Sequence, residues 1–186
     1  MAHGPHETEI KLAVPDVKTA RRLLRAGGFS VSRRRVFESN VIFDTPKLTL
    51  RKASSLLRVR QAGGVTTVTY KGRPLASRHK TREELELEIG DGPALGAILG
   101  RLGLHPVFRY EKYRTEFRQN RGACMATLDE TPVGTYIELE GSPRWIDRTA
   151  RRLGFSEQDY ILLSYARLYL DRCRRERIKP ANMVFA

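Results

Sequence analysis

Apolar and charged residues alternate along much of the chain, which is the pattern of β-strands with one buried face. The alternation predicts seven or eight strands, at residues 7–12, 36–44, 56–60, 65–71, 82–89, 111–118, 123–129 and 135–140. Gly63-Gly64 separates two of these segments and is typical of a hairpin turn. The apolar residues of each strand, such as Leu85, Leu87 and Ile89, are expected to lie under helices, with the ionic residues on the other face.

Four segments with apolar residues at helical spacing separate the groups of strands. They are 16–26, 91–102, a segment that follows Pro143 and ends at Leu153, and a longer one at about 159–177 that Ser156 opens. The loop 72–80 is rich in basic and turn-forming residues and is expected to be mobile. Groups of strands with helices between them indicate an α+β fold built on an antiparallel sheet or barrel.

Composition and charge narrow the class of partner. The 186 residues include 34 Lys and Arg against 21 Asp and Glu, so the formal net charge is +13. Two cysteines and four histidines form no disulfide or zinc pattern. No apolar run is long enough to cross a membrane and no signal peptide is recognisable, so one cytoplasmic domain without a membrane partner is expected. The positive charge predicts an anionic partner: nucleic acid, polyphosphate or a nucleotide.

Ionic residues of one sign recur two positions apart on the predicted strands. The acidic pairs are Glu7/Glu9 and Glu138/Glu140, and the basic pairs are Arg58/Arg60 and Lys112/Arg114. Side chains two apart on a strand share a face at a spacing of roughly 6.5–7 Å, where like charges repel. A half-solvated sheet explains any one strand, but the recurrence favours a ligand of opposite charge. Carboxylates suit Mg²⁺ or Mn²⁺ and basic side chains suit phosphate, so a metal–phosphate ligand satisfies both kinds of pair.

A series of short motifs follows one order along most of the chain. The motifs are Glu7-x-Glu9-x-Lys11, Phe43-Asp44-Thr45, Leu57-Arg58-x-Arg60, Thr69-Tyr70-Lys71-Gly72, Arg82-x-Glu84-x-Glu86, Glu111-Lys112-x-Arg114, Leu128-Asp129, Gly134, Glu138-x-Glu140 and Ser164-Tyr165. This series resembles the CYTH domain of the triphosphate tunnel metalloenzymes, which include class IV adenylate cyclases, thiamine triphosphatases and inorganic triphosphatases. The resemblance implies a closed tunnel of eight antiparallel strands with helices outside. Residues 1–186 are expected to form one such domain, with 1–5 and 180–186 as flexible tails.

The resemblance also implies roles for individual residues. Ligands of Mg²⁺ or Mn²⁺ are expected at Glu7, Glu9, Glu138 and Glu140, with Asp129 as a further acid beside the metal. Phosphate ligands are expected at Arg58, Arg60, Lys71, Arg82, Lys112 and Arg114. Lys11 is expected beside the phosphate bond that breaks, where it neutralises charge or steers a proton, and Glu140 is expected to orient a water. Glu84 and Glu86 are expected to orient Arg82 and its basic neighbours, and Tyr165 to belong to the core.

Three functions are compatible with these residues. The first is a metal-dependent phosphohydrolase that acts on inorganic tripolyphosphate or an organic triphosphate, which the complete Glu138-x-Glu140 pair favours. The second is a class IV adenylate cyclase, which forms cyclic AMP and pyrophosphate from ATP. The third is a module that holds polyphosphate or nucleic acid without turnover, although no RNA-binding motif is present and no specific nucleic acid partner is expected. The sequence leaves open whether the protein is a homodimer.

Overall fold

The computed structural model describes residues 6–119 and 124–186. Its strands are β1 (His6–Val14), β2 (Ser30–Asp44), β3 (Leu56–Ala62), β4 (Val65–Lys71), β5 (Lys80–Ile89), β6 (His105–Arg118), β7 (Met125–Thr131) and β8 (Gly134–Glu140). Its α-helices are α1 (Val17–Ala26), α2 (Thr49–Lys52), α3 (Gly92–Arg101), α4 (Pro143–Arg152) and α5 (Tyr165–Glu176), and Glu157–Asp159 forms a 3₁₀ turn. The expected tail 1–5 and Ala123, the first residue of one expected strand, lie outside the described residues.

The strands close into one antiparallel barrel in the order β1-β5-β4-β3-β2-β6-β7-β8. The closed eight-stranded barrel with helices outside, expected from the resemblance, is thereby confirmed. Closure pairs the strands around the whole barrel and leaves only short unpaired strand segments, such as β1 beyond Glu9 on its β5 side. The order also places β1 and β8 across the barrel from β2 and β3. Side chains from these two sides therefore face each other through the interior.

The hydrophobic core lies outside the barrel, between one side of it and two helices. Helices α1 and α4 pack on β1, β7 and β8, whose outward residues are fully buried. These strand residues are Ile10, Leu12, Ala126, Leu128, Ile137 and Leu139. Asp16 caps α1 by accepting a hydrogen bond from the Thr19 backbone N–H at 2.7 Å, which supports the predicted start of this helix. None of the described helices is long and apolar enough to cross a membrane.

The expectation that helices cover the apolar face of every strand is wrong for β5. Leu85 is 49% exposed and Leu87 is 67% exposed, although both alternate with ionic residues as predicted. Helices α1 and α4 have ten residues each and pack on the β1, β7 and β8 side of the barrel. Two helices of this length are about 15 Å long and cannot cover the whole circumference.

Strands β2 and β6 begin earlier than the sequence pattern predicts, at Ser30 and His105, because they pair with each other along nearly their whole length. The Asp44 of the Phe43-Asp44-Thr45 motif ends β2 and accepts hydrogen bonds from the backbone N–H groups of Leu50 and Arg51, both at 3.0 Å. It thereby anchors the short helix α2, which the pattern does not predict. Asp44 is a structural residue in this position.

The last helix is shorter than the predicted segment 159–177. Residues after the 3₁₀ turn run in an extended conformation, and Ile161 exchanges two backbone hydrogen bonds with Lys11, at 2.9 and 3.1 Å. Helix α5 begins only after Ser164, whose hydroxyl accepts a hydrogen bond from the Arg167 N–H at 3.3 Å. The backbone of β1 has no β5 partner at Lys11, and Ile161 bonds to it there instead of forming a helical turn. The spacing of apolar residues along the chain cannot predict this contact, because it involves a distant strand.

The expected flexible tail 180–186 is instead docked on β6. Met183 accepts a hydrogen bond from the Glu111 N–H at 2.9 Å and donates one to the Arg109 carbonyl at 3.0 Å. Its side chain is fully buried and packs with Tyr110, Tyr136 and Tyr165. Tyr110 and Tyr136 share their strand faces with Lys112 and Glu138, so this cluster fills one end of the barrel interior.

The asymmetric cover of the barrel predicts different costs for two matched leucine truncations. Leu128→Ala, on β7 under the helices, is expected to lower the free energy of unfolding by about 2–5 kcal/mol, because it leaves a cavity in the core. Leu87→Ala on β5 is expected to cost less than about 1 kcal/mol, since that side chain is 67% exposed. Urea denaturation of both variants measures the difference. Equal losses would contradict the one-sided core.

Candidate functional site

The barrel interior is lined by ionic side chains of both signs. The basic ones are Lys11, Arg58, Arg60, Lys71, Lys80, Arg82, Lys112 and Arg114. The acidic ones are Glu7, Glu9, Glu38, Glu84, Glu86, Asp129, Glu138 and Glu140. Within the described ranges the two sets are thus equal, with eight members each. The structure brings together every site residue that the sequence predicted and adds Lys80 and Glu38.

Like-charged neighbours on one strand are compensated by ions on adjacent strands. Glu9 lies opposite Glu140 and Lys11 lies opposite Glu138 in the β1–β8 register. The Lys11 ammonium is 3.1 Å from the Glu138 carboxylate and 3.5 Å from that of Glu9. Lys80 of β5 donates to Glu9 at 2.6 Å. The repulsion inferred from the sequence is therefore balanced inside the protein, and the ionic pairs do not by themselves require a ligand.

Glu7, Glu84 and Glu140 form a cluster of carboxyl groups beside these ion pairs. Glu7 shares hydrogen bonds with Glu84 and with Glu140, and Lys71 donates to Glu7 at 2.7 Å and also to Glu84. Burial, together with the charge of Glu7, raises the pKa of Glu140 to about 8. Burial and the hydrogen bond to Glu7 likewise raise the pKa of Glu84 to about 7. The cluster thus binds protons near neutral pH.

The opposite side of the barrel carries the basic pairs of β3 and β6, Arg58/Arg60 and Lys112/Arg114. Between them on β2 lies Glu38, 3.7 Å from Arg60 and 3.5 Å from Lys112. Burial favours the neutral acid, but Lys112 and Arg114 outweigh it and lower the pKa of Glu38 from 4.5 to about 2. Glu38 escaped the sequence reasoning because it belongs to none of the motifs. The sequence did contain a signal for Glu38, because this residue stands in the same alternating pattern along its strand as the other interior acids.

Asp129 of β7 is fully buried and each of its oxygens is already bound. Arg114 contacts both oxygens, at 2.7 and 2.6 Å, and Lys112 donates to one of them at 2.8 Å. The Tyr165 hydroxyl donates a hydrogen bond to Asp129 at 2.8 Å. Tyr165 is therefore a core residue, as expected, that also reaches a predicted site residue. In this arrangement Asp129 holds basic side chains in place.

Glu84 and Glu86 face into the barrel from β5. In the described residues, their ionic partners are Lys71, Arg58 and Arg60, which agrees with the expected contacts to basic neighbours but does not include Arg82. Glu86 also accepts a hydrogen bond from Thr69 at 2.7 Å. Lys80 was placed by the sequence pattern in the loop 72–80, but it begins β5 and is 8% exposed.

The acidic residues of β1 and β8 have the donor chemistry of a site for Mg²⁺ or Mn²⁺, which prefer oxygen ligands. Across residues 6–119 and 124–186, no three His, Cys, Asp or Glu side chains are already arranged to hold an ion, because most carboxylates are paired with basic groups. Glu140 has no basic ion-pair partner in the described residues, and its carboxyl group shares a hydrogen bond with that of Glu7, which Lys71 also contacts. A hydrogen bond between two carboxyl groups needs one proton, and a cation fits the place of that proton. The residues present therefore fit a divalent ion at Glu7 and Glu140.

Comparison with known proteins agrees with this architecture. The model of the CYTH domain family matches residues 5–165. A protein of Methanocaldococcus jannaschii, named as a candidate adenylate cyclase, is 30% identical over 137 residues, which span 73% of this chain and 77% of the relative. A solved structure from Pyrococcus horikoshii OT3 is 25% identical with a TM-score of 0.76, over 89% of this chain and 99% of the other.

A more distant structure shares the fold. A protein from Hippeastrum is 20% identical with a TM-score of 0.61, over 94% of this chain and 97% of the other. That protein is described as a candidate adenylyl cyclase with a dominant triphosphatase activity. At this identity the likeness concerns the fold alone.

Replacing Glu38 by Gln is expected to weaken the dependence of the free energy of unfolding on pH in the acidic range. Because the pKa of Glu38 is lowered from 4.5 to about 2, its carboxylate stabilises the fold above pH 4.5 and loses that contribution as the pH falls towards 2. The unchanged protein should exceed Glu38→Gln by on the order of 3 kcal/mol in free energy of unfolding near neutral pH, and by less at about pH 3. Denaturant titrations across this range measure the difference, with Glu176→Gln on α5 as a surface control. A difference that does not change with pH would contradict the assignment.

Proposed function

This chain belongs to the CYTH domain family, and we propose that it is a divalent-metal-dependent phosphohydrolase that binds a triphosphate inside the barrel. One observation carries the proposal: eight basic side chains converge on an enclosed space that also holds acidic groups suited to a metal. A triphosphate carries several negative charges on closely spaced oxygens, which Arg and Lys bind with charge-assisted hydrogen bonds. An enclosed interior suits a narrow phosphate chain better than a nucleic acid duplex.

Seven of the eight basic residues of the interior divide into two groups around the proposed ligand, and Lys11 has a separate part. Arg58 and Arg60 of β3, which lies opposite β8, and Lys112 and Arg114 of β6, which lies opposite β5, bind phosphate oxygens. Asp129 supports this group by holding Arg114 and Lys112 through its two oxygens. The second group lies next to the acidic strand β1 and contains Lys71, Lys80 and Arg82.

Glu7 and Glu140, with Glu9 and Glu138 beside them, are the proposed ligands of Mg²⁺ or Mn²⁺. A bound ion of this kind neutralises charge on the phosphate oxygens and orients the chain. Glu9 and Glu138 are held by Lys11 and Lys80, so binding a metal requires these ammonium groups to move towards the phosphates. Such an exchange of partners is favourable when the incoming phosphate replaces the lost carboxylate contacts.

Lys11 and Glu140 take different parts in the proposed hydrolysis. Burial disfavours the charge on Lys11, but Glu138 and Glu9 outweigh this effect and raise its pKa above the ordinary value, so Lys11 remains an ammonium and neutralises charge. Glu140 is not within ion-pair distance of a basic side chain in the described residues, so its carboxylate is available to act as a general base. It orients a water towards the terminal phosphorus and accepts its proton while the bond to the bridging oxygen breaks. The products from tripolyphosphate are phosphate and diphosphate. From a nucleoside triphosphate they are phosphate and the nucleoside diphosphate.

The second candidate function is an adenylate cyclase. The name of the Methanocaldococcus jannaschii relative favours it, and the same basic interior suits ATP. In that reaction a ribose hydroxyl attacks the α-phosphorus and pyrophosphate leaves. The complete Glu138-x-Glu140 pair favours hydrolysis, because it leaves Glu140 available for a water.

A substrate panel distinguishes the proposals. Phosphate release is measured from tripolyphosphate, ATP and thiamine triphosphate, with Mg²⁺ or Mn²⁺ and with excess chelator, and cyclic AMP is measured in the same samples. We expect metal-dependent phosphate release without cyclic AMP. Cyclic AMP from ATP supports the cyclase, and turnover that persists in chelator contradicts the metal. Binding without turnover supports a holding module, for which a steep loss between about 50 and 200 mM salt would indicate nonspecific nucleic acid binding.

Glu140→Gln is expected to separate turnover from binding. The substitution keeps the shape and removes the basicity, so hydrolysis should fall on the order of 10²–10⁴-fold. Triphosphate binding, measured as ligand-induced thermal stabilisation, should change much less because the basic side chains remain. Glu176→Gln on α5, outside the barrel, is the control with normal turnover. Normal hydrolysis in Glu140→Gln would contradict the role of Glu140 in orienting water, and joint loss of binding and turnover would make it chiefly a metal ligand.

A further inference from the structure

Asn40 is a buried interior amide without a protein partner. It lies on β2, two residues after Glu38 and on the same face, and it is 0% exposed. Neither its Nδ2 nor its Oδ1 atom has a hydrogen-bond partner among residues 6–119 and 124–186. An amide can donate two and accept two hydrogen bonds, so its whole capacity is unused by the described chain.

The buried amide of Asn40 destabilises the fold unless a molecule inside the barrel forms hydrogen bonds with it. Buried polar side chains are almost always hydrogen-bonded, and leaving one without a partner costs about 1–3 kcal/mol. A leucine of similar size would carry no such penalty at this position. The energetic balance therefore favours a partner that comes from the contents of the barrel, which is either water or the ligand.

Two residues that follow Asn40 across the next two strands also carry a buried polar atom without a hydrogen-bond partner in the described chain. Asn40 is in register with Arg60 on β3, and Arg60 is in register with Thr67 on β4. The Nε atom of Arg60 and the hydroxyl of Thr67 also have no hydrogen-bond partner within the described ranges. Residues in register on adjacent strands have Cβ atoms about 4.5–5.5 Å apart, so the three form a continuous row, called here the β2–β4 row. One extended ligand with several oxygens can contact all three residues of the row at once, whereas a single water molecule cannot.

Asn40 and Arg60 of the β2–β4 row lie across the barrel from the proposed metal ligands, and Thr67 on β4 lies one strand further round. In the order of strands, β2 is opposite β1 and β3 is opposite β8. A phosphate chain held by a metal at Glu7 and Glu140 on one side therefore presents its remaining oxygens to Asn40, Arg60 and Thr67. Asn40 and Thr67 add hydrogen bonds without adding charge, whereas a carboxylate at position 40 would repel the chain.

We propose that Asn40 is a substrate-binding residue that donates a hydrogen bond from Nδ2 to a non-bridging phosphate oxygen, in a row with Arg60 and Thr67. The inference rests on the proposed function, because it names the residues that bind the triphosphate on the side away from the metal. It assigns to β2 a part in recognition that none of the sequence motifs indicates.

The test compares Asn40→Leu and Asn40→Asp with the unchanged protein. The probe is the imido analogue of tripolyphosphate, in which nitrogen replaces the bridging oxygens, titrated by calorimetry with Mg²⁺ present. Asn40→Leu should bind the analogue about 10- to 100-fold more weakly, the range for one hydrogen bond to a charged group, while its melting temperature without ligand stays equal or rises. Asn40→Asp should bind still more weakly, since it places a negative charge beside the phosphates.

Thr115→Val is the matched control. Thr115 is 1% exposed and its hydroxyl is also without a partner in the described chain, but it alternates with Arg114 and shares the outward face of β6 with the core residue Phe117. The control should bind the analogue normally. If Asn40→Leu fails to fold, Asn40→Asp and Thr67→Val decide the question, and Thr67→Val should also bind more weakly.

The possible failures are distinguishable. Normal affinity in the Asn40 variants, or reduced stability with normal affinity, would overturn the proposal and leave Asn40 with a structural water. Failure of the unchanged protein to bind any triphosphate would overturn the proposed function itself, and the role of Asn40 with it. Normal binding by the unchanged protein with a loss only in the Asn40 and Thr67 variants supports both.

Discussion

Charge pairing between neighbouring strands is the interaction on which the interior depends. Removing an ion from water costs several kcal/mol unless a partner and further hydrogen bonds replace the solvent. Lys11 lies between Glu9 and Glu138, and Arg114 lies between Asp129 and Glu138, so both of these buried cations have a counter-charge on another strand. These contacts exist only because the barrel closes. The ionic interior and the closed barrel therefore stabilise each other.

Charge pairing in the interior also determines where the net positive charge of the protein lies. Eight acidic and eight basic side chains line the interior, so the excess of +13 is carried by the rest of the chain. Exposed residues such as Arg22, Arg25, Arg148 and Arg151 on α1 and α4 belong to this outer excess. The total charge attracts anions over the whole surface. Selectivity for a triphosphate has to come from the arrangement inside, where raised pKa values at Glu84 and Glu140 reduce the negative charge near neutral pH.

Much of the fold and the site follows from alternation. The parity of residues such as Glu9 and Leu12 identified interior and exterior faces, and the strand centres were located within a few residues. Segments that depend on distant partners were not predictable. Ile161 leaves the expected helix to bond with Lys11, and Met183 turns an expected tail into part of the interior. Asn40 and Glu38 were missed because no short motif contains them.

By itself the sequence determined which residues are ionic, which strand faces carry them and that they recur at a spacing of two, since these properties are local. Tertiary structure decided which charges meet. It showed that Glu9 is compensated by Lys80, that Glu7 and Glu140 share a hydrogen bond, and that Asn40 faces the interior without a partner in the described chain. Register and closure bring together residues from opposite ends of the chain, and the energies of charge and hydrogen bonding depend on those distances, which spacing along one strand does not contain.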